Sequence, residues 1–211
     1  MKTLLCFGDS NTWGHATEPR PDGRYAPHER WPGIVRARLA PDWTIVEEGL
    51  PGRTTVCDDP IEGAHMNGQR YLHACLRSHR PIDAMVIMLG SNNLKARFGL
   101  SAFDIAESVA TLIADIPRAL AGPGGATPAI LIVCPPPLTG MDGRYAAMFA
   151  GGHAKSIEMP RFYAEVAERV GARFLDAGTI IRSSDVDGLH LDPDAHAVLG
   201  GAIADIVATM A

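Results

Sequence analysis

Lys2-Thr3-Leu4-Leu5-Cys6-Phe7-Gly8-Asp9-Ser10 is a short apolar run that stops on three turn-forming residues. The run predicts a buried strand over 2–7, and a strand ending in Gly-Asp-Ser exposes a hydroxyl at the mouth of its sheet. Alone the tripeptide is weak, because Gly, Asp and Ser are ordinary turn residues. Four more segments, 43–47, 83–89, 129–134 and 173–175, are short and apolar between turn residues and predict four more strands. Met85-Val86-Ile87-Met88-Leu89 and Ile130-Leu131-Ile132-Val133 show no polar alternation, which suits a parallel sheet covered on both faces.

Helical patterns fall between these strands. Segment 30–39 has Pro32 near its first turn, where a missing N–H costs nothing. Segment 69–78 places Tyr71, Leu72, Cys75 and Leu76 on one side. Segment 102–120 repeats apolar residues from Ile105 to Ile116 at helical spacing, and Pro117 should kink or end it. Segments 161–170 and 194–210 are amphipathic, the second entered through Asp192-Pro193. Strands alternating with helices predict a doubly wound α/β domain whose chemistry gathers at the carboxyl ends of its strands. Three connections leave those ends as long loops, at 11–29, 50–67 and 135–156.

The 211 residues suit one domain, and 46% hydrophobic with 20% charged residues suits a full core. A net charge of −5 leaves no basic footprint for nucleic acid, and the 19 Lys and Arg are too scattered for a membrane surface. No apolar run is long enough to span a membrane, and 3–7 is too short for a signal sequence, so a cytoplasmic chain beginning at Met1 is expected. Cys6, Cys57, Cys75 and Cys134 show no metal-ligand spacing and read as reduced thiols. His65, His73 and His79, around one helix, read as solvated or packing side chains. No metal site and no cofactor is expected.

Four polar landmarks follow the predicted strands: Ser10, Gly52, Asn92, and Asp187 with His190. A serine hydroxyl is a weak nucleophile until a base removes its proton, and histidine near neutral pH is the usual base. Asp187, three residues before His190, can hold the other ring nitrogen if Gly188 lets the loop fold back. Backbone N–H groups at Ser10 and Gly52 and the side-chain amide of Asn92 suit a developing oxyanion. Neither a GxGxxG, a P-loop nor a Gly-x-Ser-x-Gly elbow is present, which argues against nucleotide binding and the α/β-hydrolase elbow.

Gly8-Asp9-Ser10, Gly52, Gly90-Ser91-Asn92 and Asp187-Gly188-Leu189-His190 resemble, in order and across nearly the whole chain, the four blocks of the SGNH (GDSL) hydrolase family. Glu47-Glu48-Gly49-Leu50 with Arg53-Thr54-Thr55, and Pro135-Pro136-Pro137-Leu138, are similar to its arylesterase and acyltransferase branch. The resemblance implies a five-stranded, flavodoxin-like three-layer α/β/α fold. It implies Ser10 as nucleophile, His190 as base, Asp187 as its orienter, and Ser10, Gly52 and Asn92 as the oxyanion hole. Asp9 is then a brace for the nucleophile turn. Trp13, Leu138 and Phe149, with Met148, are expected to line the acyl cleft.

The implied activity is hydrolysis of short-acyl esters, aryl esters included, with water, alcohol or peroxide as acyl acceptor. A homo-oligomer is implied too. A carbohydrate acetylesterase and a non-catalytic binding module on the same fold are the alternatives. One departure stands out: the third block usually ends in Asp, and this chain has Asn93 there.

Overall fold

The computed structural model describes residues 1–210. The apolar run before Ser10 is strand β1 (Lys2–Gly8), followed along the chain by β2 (Trp43–Gly49), β3 (Ala84–Met88), β4 (Ala129–Cys134) and β5 (Arg173–Asp176). They form one parallel sheet in the order β2-β1-β3-β4-β5. The helices are α1 (Ser10–Trp13), α2 (Trp31–Leu39), α3 (Gly68–His79), α4 (Ala102–Ala114), α5 (Gly143–Met148), α6 (Gly152–Val170) and α7 (Pro193–Val207).

Successive strand residues point to opposite faces, so the unalternating runs feed two cores. Leu5, Phe7, Met85, Ile87, Ile132 and Cys134 pack against α3, α4 and α6. Leu4, Cys6, Val86, Met88, Leu131 and Val133 pack against α2 and α7. This is the three-layer arrangement the sequence predicts. The order of strands reverses between β1 and β3, and a crevice opens there beyond their carboxyl ends.

Two helices differ from expectation at a proline. The pattern over 102–120 stops as an α-helix at Ala114 and passes into a 3₁₀ turn, Ile116–Ala119, that contains Pro117. Proline lacks the N–H that the helix ladder needs, so the tighter turn takes over. The helix expected from residue 161 instead begins at Gly152 and carries Pro160 inside it. Its first turns bury Gly152, Ser156 and Met159, which make no hydrophobic stripe to read. The loop expected over 135–156 therefore also contains α5 and the start of α6, and the one over 11–29 begins inside α1.

Candidate active site

Asp9 follows β1 and caps α1: its Oδ1 accepts the Asn11 N–H at 3.0 Å, and its carbonyl accepts from Thr12 and Trp13. Ser10 opens that helix, so its own N–H is a first-turn donor without an intrahelical acceptor. The Ser10 hydroxyl lies 3.0 Å from Nε2 of His190, and Nδ1 of His190 lies 2.6 Å from Oδ2 of Asp187. The other oxygen of Asp187 accepts the backbone N–H groups of Leu189 and His190, both at 2.9 Å. This tight fold-back passes through Gly188 at φ 74°, a left-handed conformation that side chains disfavour. Burial would raise the Asp187 pKa, but the hydrogen bond and charge of His190 and the two N–H groups override it and hold the carboxyl at about 2.

Asn92 stands in a 3₁₀ turn after β3 (Ser91–Leu94) and gives one amide hydrogen to Asp9 Oδ2 at 3.3 Å. Its second N–H is left for the cavity that Asn92 helps to line. The Gly52 N–H has no acceptor among the described residues, and Gly52 lines the same cavity. Ser10, Gly52, Asn92 and His190 thus meet around one opening of about 150 Å³, with Asp187 behind His190. Asp9 is fully buried; burial pushes its carboxyl up to about 6 against the pull of the Asn11 N–H.

The expected acyl-cleft residues divide. Phe149 and Met148 line the opening with Arg144 and Tyr145 of α5. Trp13 does not: its ring lies under the Arg24 guanidinium at 4.8 Å, and its carbonyl accepts from Arg24 Nε at 2.6 Å. Leu138 is buried behind the wall, its N–H donating to Ser156 Oγ and its carbonyl held at 2.5 Å from His153 Nδ1. Aromatic type near a nucleophile did not predict direction, because a neighbouring cation took the Trp13 face.

Sequence reasoning missed three groups here. His15 stacks on the His190 ring at 4.0 Å, and burial, then the charge of His190, lowers its pKa. Glu62 lines the opening and accepts from Lys95 Nζ at 2.8 Å and Arg97 at 2.6 Å. Lys95 is itself buried, and Asp59 pairs with Arg97 at 3.1 Å, so two carboxylates and two cations balance in one wall. None of these residues falls in a recognisable spacing. Only the folded loops bring them to the serine.

A parallel α/β sheet that presents Ser, His and Asp in one hydrogen-bonded line at its carboxyl end defines a class, the serine hydrolases. Comparison with known proteins narrows it. The chain belongs to the GDSL-like Lipase/Acylhydrolase family, whose profile matches residues 6–198. It is similar to a carbohydrate acetylesterase from Sinorhizobium meliloti, with TM-score 0.93 and 39% identity over 100% of both chains. The native M. smegmatis aryl esterase gives TM-score 0.93 and 38% identity, again over 100% of both. A lipase/acylhydrolase from Enterococcus faecalis, 18% identical with TM-score 0.67 over 98% of this chain and 95% of its own, shares the fold. None of the curated proteins compared matches the chain. The protein is a carboxylic ester hydrolase of the serine esterase type. No helix among the described residues is long and apolar enough to cross a membrane.

Proposed function

We propose that Ser10, His190 and Asp187 hydrolyse short-acyl esters, aryl esters included, through a covalent acyl-enzyme. The carrying observation is the line Ser10 Oγ–His190 Nε2–Asp187 at 3.0 and 2.6 Å, facing the unpartnered Gly52 N–H and the Asn92 amide. Ser10 Oγ bonds to the ester carbonyl carbon as its proton passes to His190 Nε2. The oxyanion is held by the N–H groups of Ser10 and Gly52 and by Asn92. Collapse breaks the bond to the leaving alcohol, which takes the proton from His190. Water repeats the cycle on the acyl-enzyme, and an alcohol or peroxide in its place gives transfer.

An opening of about 150 Å³ is on the scale of a cavity that holds one benzene ring, which supports short acyl groups. Ser10→Ala should lower turnover of a short aryl acetate by roughly 10⁴-fold or more. Activity near that of the unaltered protein would sink the reading. Product ratios in water with added alcohol test transfer; hydrolysis alone removes that part.

A second reading, deacetylation of carbohydrate, draws support from the charged side of the opening, where Glu62, Lys95 and Arg144 can meet sugar hydroxyls. Sugar acetates compared with aryl acetates separate the two. We propose as well that the protein is a cytoplasmic homo-oligomer. Its support is four free cysteines and the exposed Ile61, which adjoins Met148 at the rim where a second copy would narrow the entrance. Mass spectrometry of the native protein tests the assembly: a monomer would remove it.

A further inference from the structure

A second group of reactive side chains lies on α3, away from Ser10. Tyr71, Cys75 and His79 follow one another at four-residue spacing, so one face of the helix carries a phenol, a thiol and an imidazole in successive turns. Glu48, one residue from the end of β2, reaches that face. Its Oε1 accepts the Tyr71 hydroxyl at 3.3 Å and lies 2.8 Å from Nε2 of His79. One carboxylate oxygen of Glu48, the Cys75 sulfur and one ring nitrogen of His79 all lie within 4.8 Å of one another.

We propose that Glu48, Cys75 and His79 form a binding site for a divalent ion of the zinc class, with three protein ligands and a fourth position open to water. The donor set decides the class. A thiolate with an imidazole and a carboxylate suits zinc, whereas calcium and magnesium take oxygen ligands. Zinc–sulfur and zinc–nitrogen bonds of roughly 2.3 and 2.0 Å place tetrahedral ligands roughly 3–4 Å apart. The present separations need only small side-chain adjustments to reach that, and two of the ligands sit one turn apart on a rigid helix.

The surroundings fit as well. Cys75 is fully buried, while the Glu48 and His79 side chains keep 18% and 32% exposure, so the site is closed toward the core and open toward solvent. A groove of about 500 Å³, lined by Glu48, Arg53, His65, Asn67, Arg70 and Tyr71, reaches the cluster on its Glu48 side. On binding, the sulfur–metal bond forms as the Cys75 S–H breaks, and the proton leaves to solvent; His79 binds as the neutral ring. The two ligand charges, carboxylate and thiolate, then balance the ion. Arg53, the cation that faces this cluster, donates through Nη1 to the carbonyls of Gly8 and Glu48. The bound ion ties the last turn of α3 to the end of β2. No sequence spacing announces the site, because its third ligand comes from another element.

The test is titration of the metal-stripped full-length protein with Co²⁺, the spectroscopic stand-in for zinc. One equivalent should produce a near-ultraviolet thiolate-to-cobalt band with visible bands of a tetrahedral ion, all removed by added Zn²⁺. Cys75→Ser should lose the ultraviolet band. His79→Gln, at an open position on the last turn, should weaken binding by at least roughly tenfold with the circular dichroism spectrum unchanged. Absence of a thiolate band at one equivalent overturns the proposal and leaves Glu48 a hydrogen-bonded hub. A band that survives both substitutions overturns it too. Binding without a sulfur signature also overturns it, pointing instead to His15, Asp187 and His190, which hold no sulfur.

Discussion

Asn93 Nδ2 donates to Thr55 Oγ1 at 2.8 Å while Asn93 Oδ1 accepts the Thr55 N–H at 3.1 Å. Thr55 Oγ1 lies 2.6 Å from Ser108 Oγ, whose hydrogen goes to the Ile105 carbonyl. With Ser108 donating to Ile105, Thr55 donates to Ser108 and Asn93 supplies the donor that Thr55 accepts. The family's usual Asp cannot do this when ionised, so the departure seen in the sequence is matched by its partners. Asn93→Asp should lose about 1–3 kcal/mol of stability in urea unfolding, the cost of a buried acceptor facing an acceptor; an unchanged midpoint would show that Ser108 simply turns. On the proposed mechanism Asp9 acts through Asn92, whose amide hydrogen it accepts. Asp9→Asn should lower kcat roughly ten- to a hundredfold with KM little changed, less than the roughly 10²–10³ of a deleted oxyanion donor. A change in KM alone would contradict this. Asp187→Asn should lower kcat by roughly 10³–10⁴, because the wrong tautomer of His190 would face Ser10. The serine, histidine and aspartate were legible because each sits in a short local pattern. Glu62, Lys95 and His15 were not, because nothing local marks a side chain that arrives by loop folding.

Among the elements, β3 and α6 meet where the site is most constrained. Tyr163 of α6 donates its hydroxyl to the Leu89 carbonyl at 2.9 Å, just past the end of β3. The next residue, Gly90, has φ 122°, and a Cβ there would come within 2.1 Å of that hydroxyl. Gly90→Ala should cost about 3 kcal/mol or more, from backbone strain and overpacking together, and should lower kcat by shifting Asn92 two residues on. Wild-type stability in a denaturant titration would refute the contact. The three central strands were readable because each lies in continuous apolar sequence buried on both sides, whereas the edge strands β2 and β5 were readable only as short apolar pieces between turn residues, β5 burying no residue fully. The start of α6 was not, since Pro160 reads as a stop and the turns before it bury too little to carry a period. Nor was α5 readable: it buries no residue fully, and its value lies in the side chains it sets at the rim.

For the molecule as a whole, three groups shape stability against pH. His196 is fully buried and accepts the Trp31 N–H at 3.2 Å; burial, then the charge of His190, lowers its pKa from 6.5 to about 4. The unfolded chain takes that proton first, so stability is lost as pH falls from 6.5 to about 4, by about 3 kcal/mol. Asp9 runs the other way: with its carboxyl raised from 3.8 to about 6, the folded state takes the proton first, and about 3 kcal/mol is gained over nearly the same interval. The two nearly cancel. Asp187, lowered from 3.8 to about 2, adds about 2 kcal/mol that is present above pH 4 and lost on falling through 2. These groups together should leave unfolding free energy nearly flat from pH 6.5 to 4 and falling below. In His196→Gln the same measurement should rise toward pH 4, and in Asp9→Asn it should fall; parallel curves for all three proteins would refute the assignment. Neither Asp9 nor His196 could be read this way from sequence, since the effect depends on burial at two separated places in the fold.

The 3.0 Å contact between Ser10 and His190 joins residues 180 positions apart in the chain. During synthesis the Ser10 hydroxyl emerges 180 residues ahead of His190 and stays chemically dormant. Only when the passage from β5 to α7 is in place does it gain the histidine that the proposed mechanism makes its base. A chain stalled before His190 therefore carries a harmless serine, and reactivity toward an acylating probe becomes a report on whether the His190 segment has been made and has closed on Ser10.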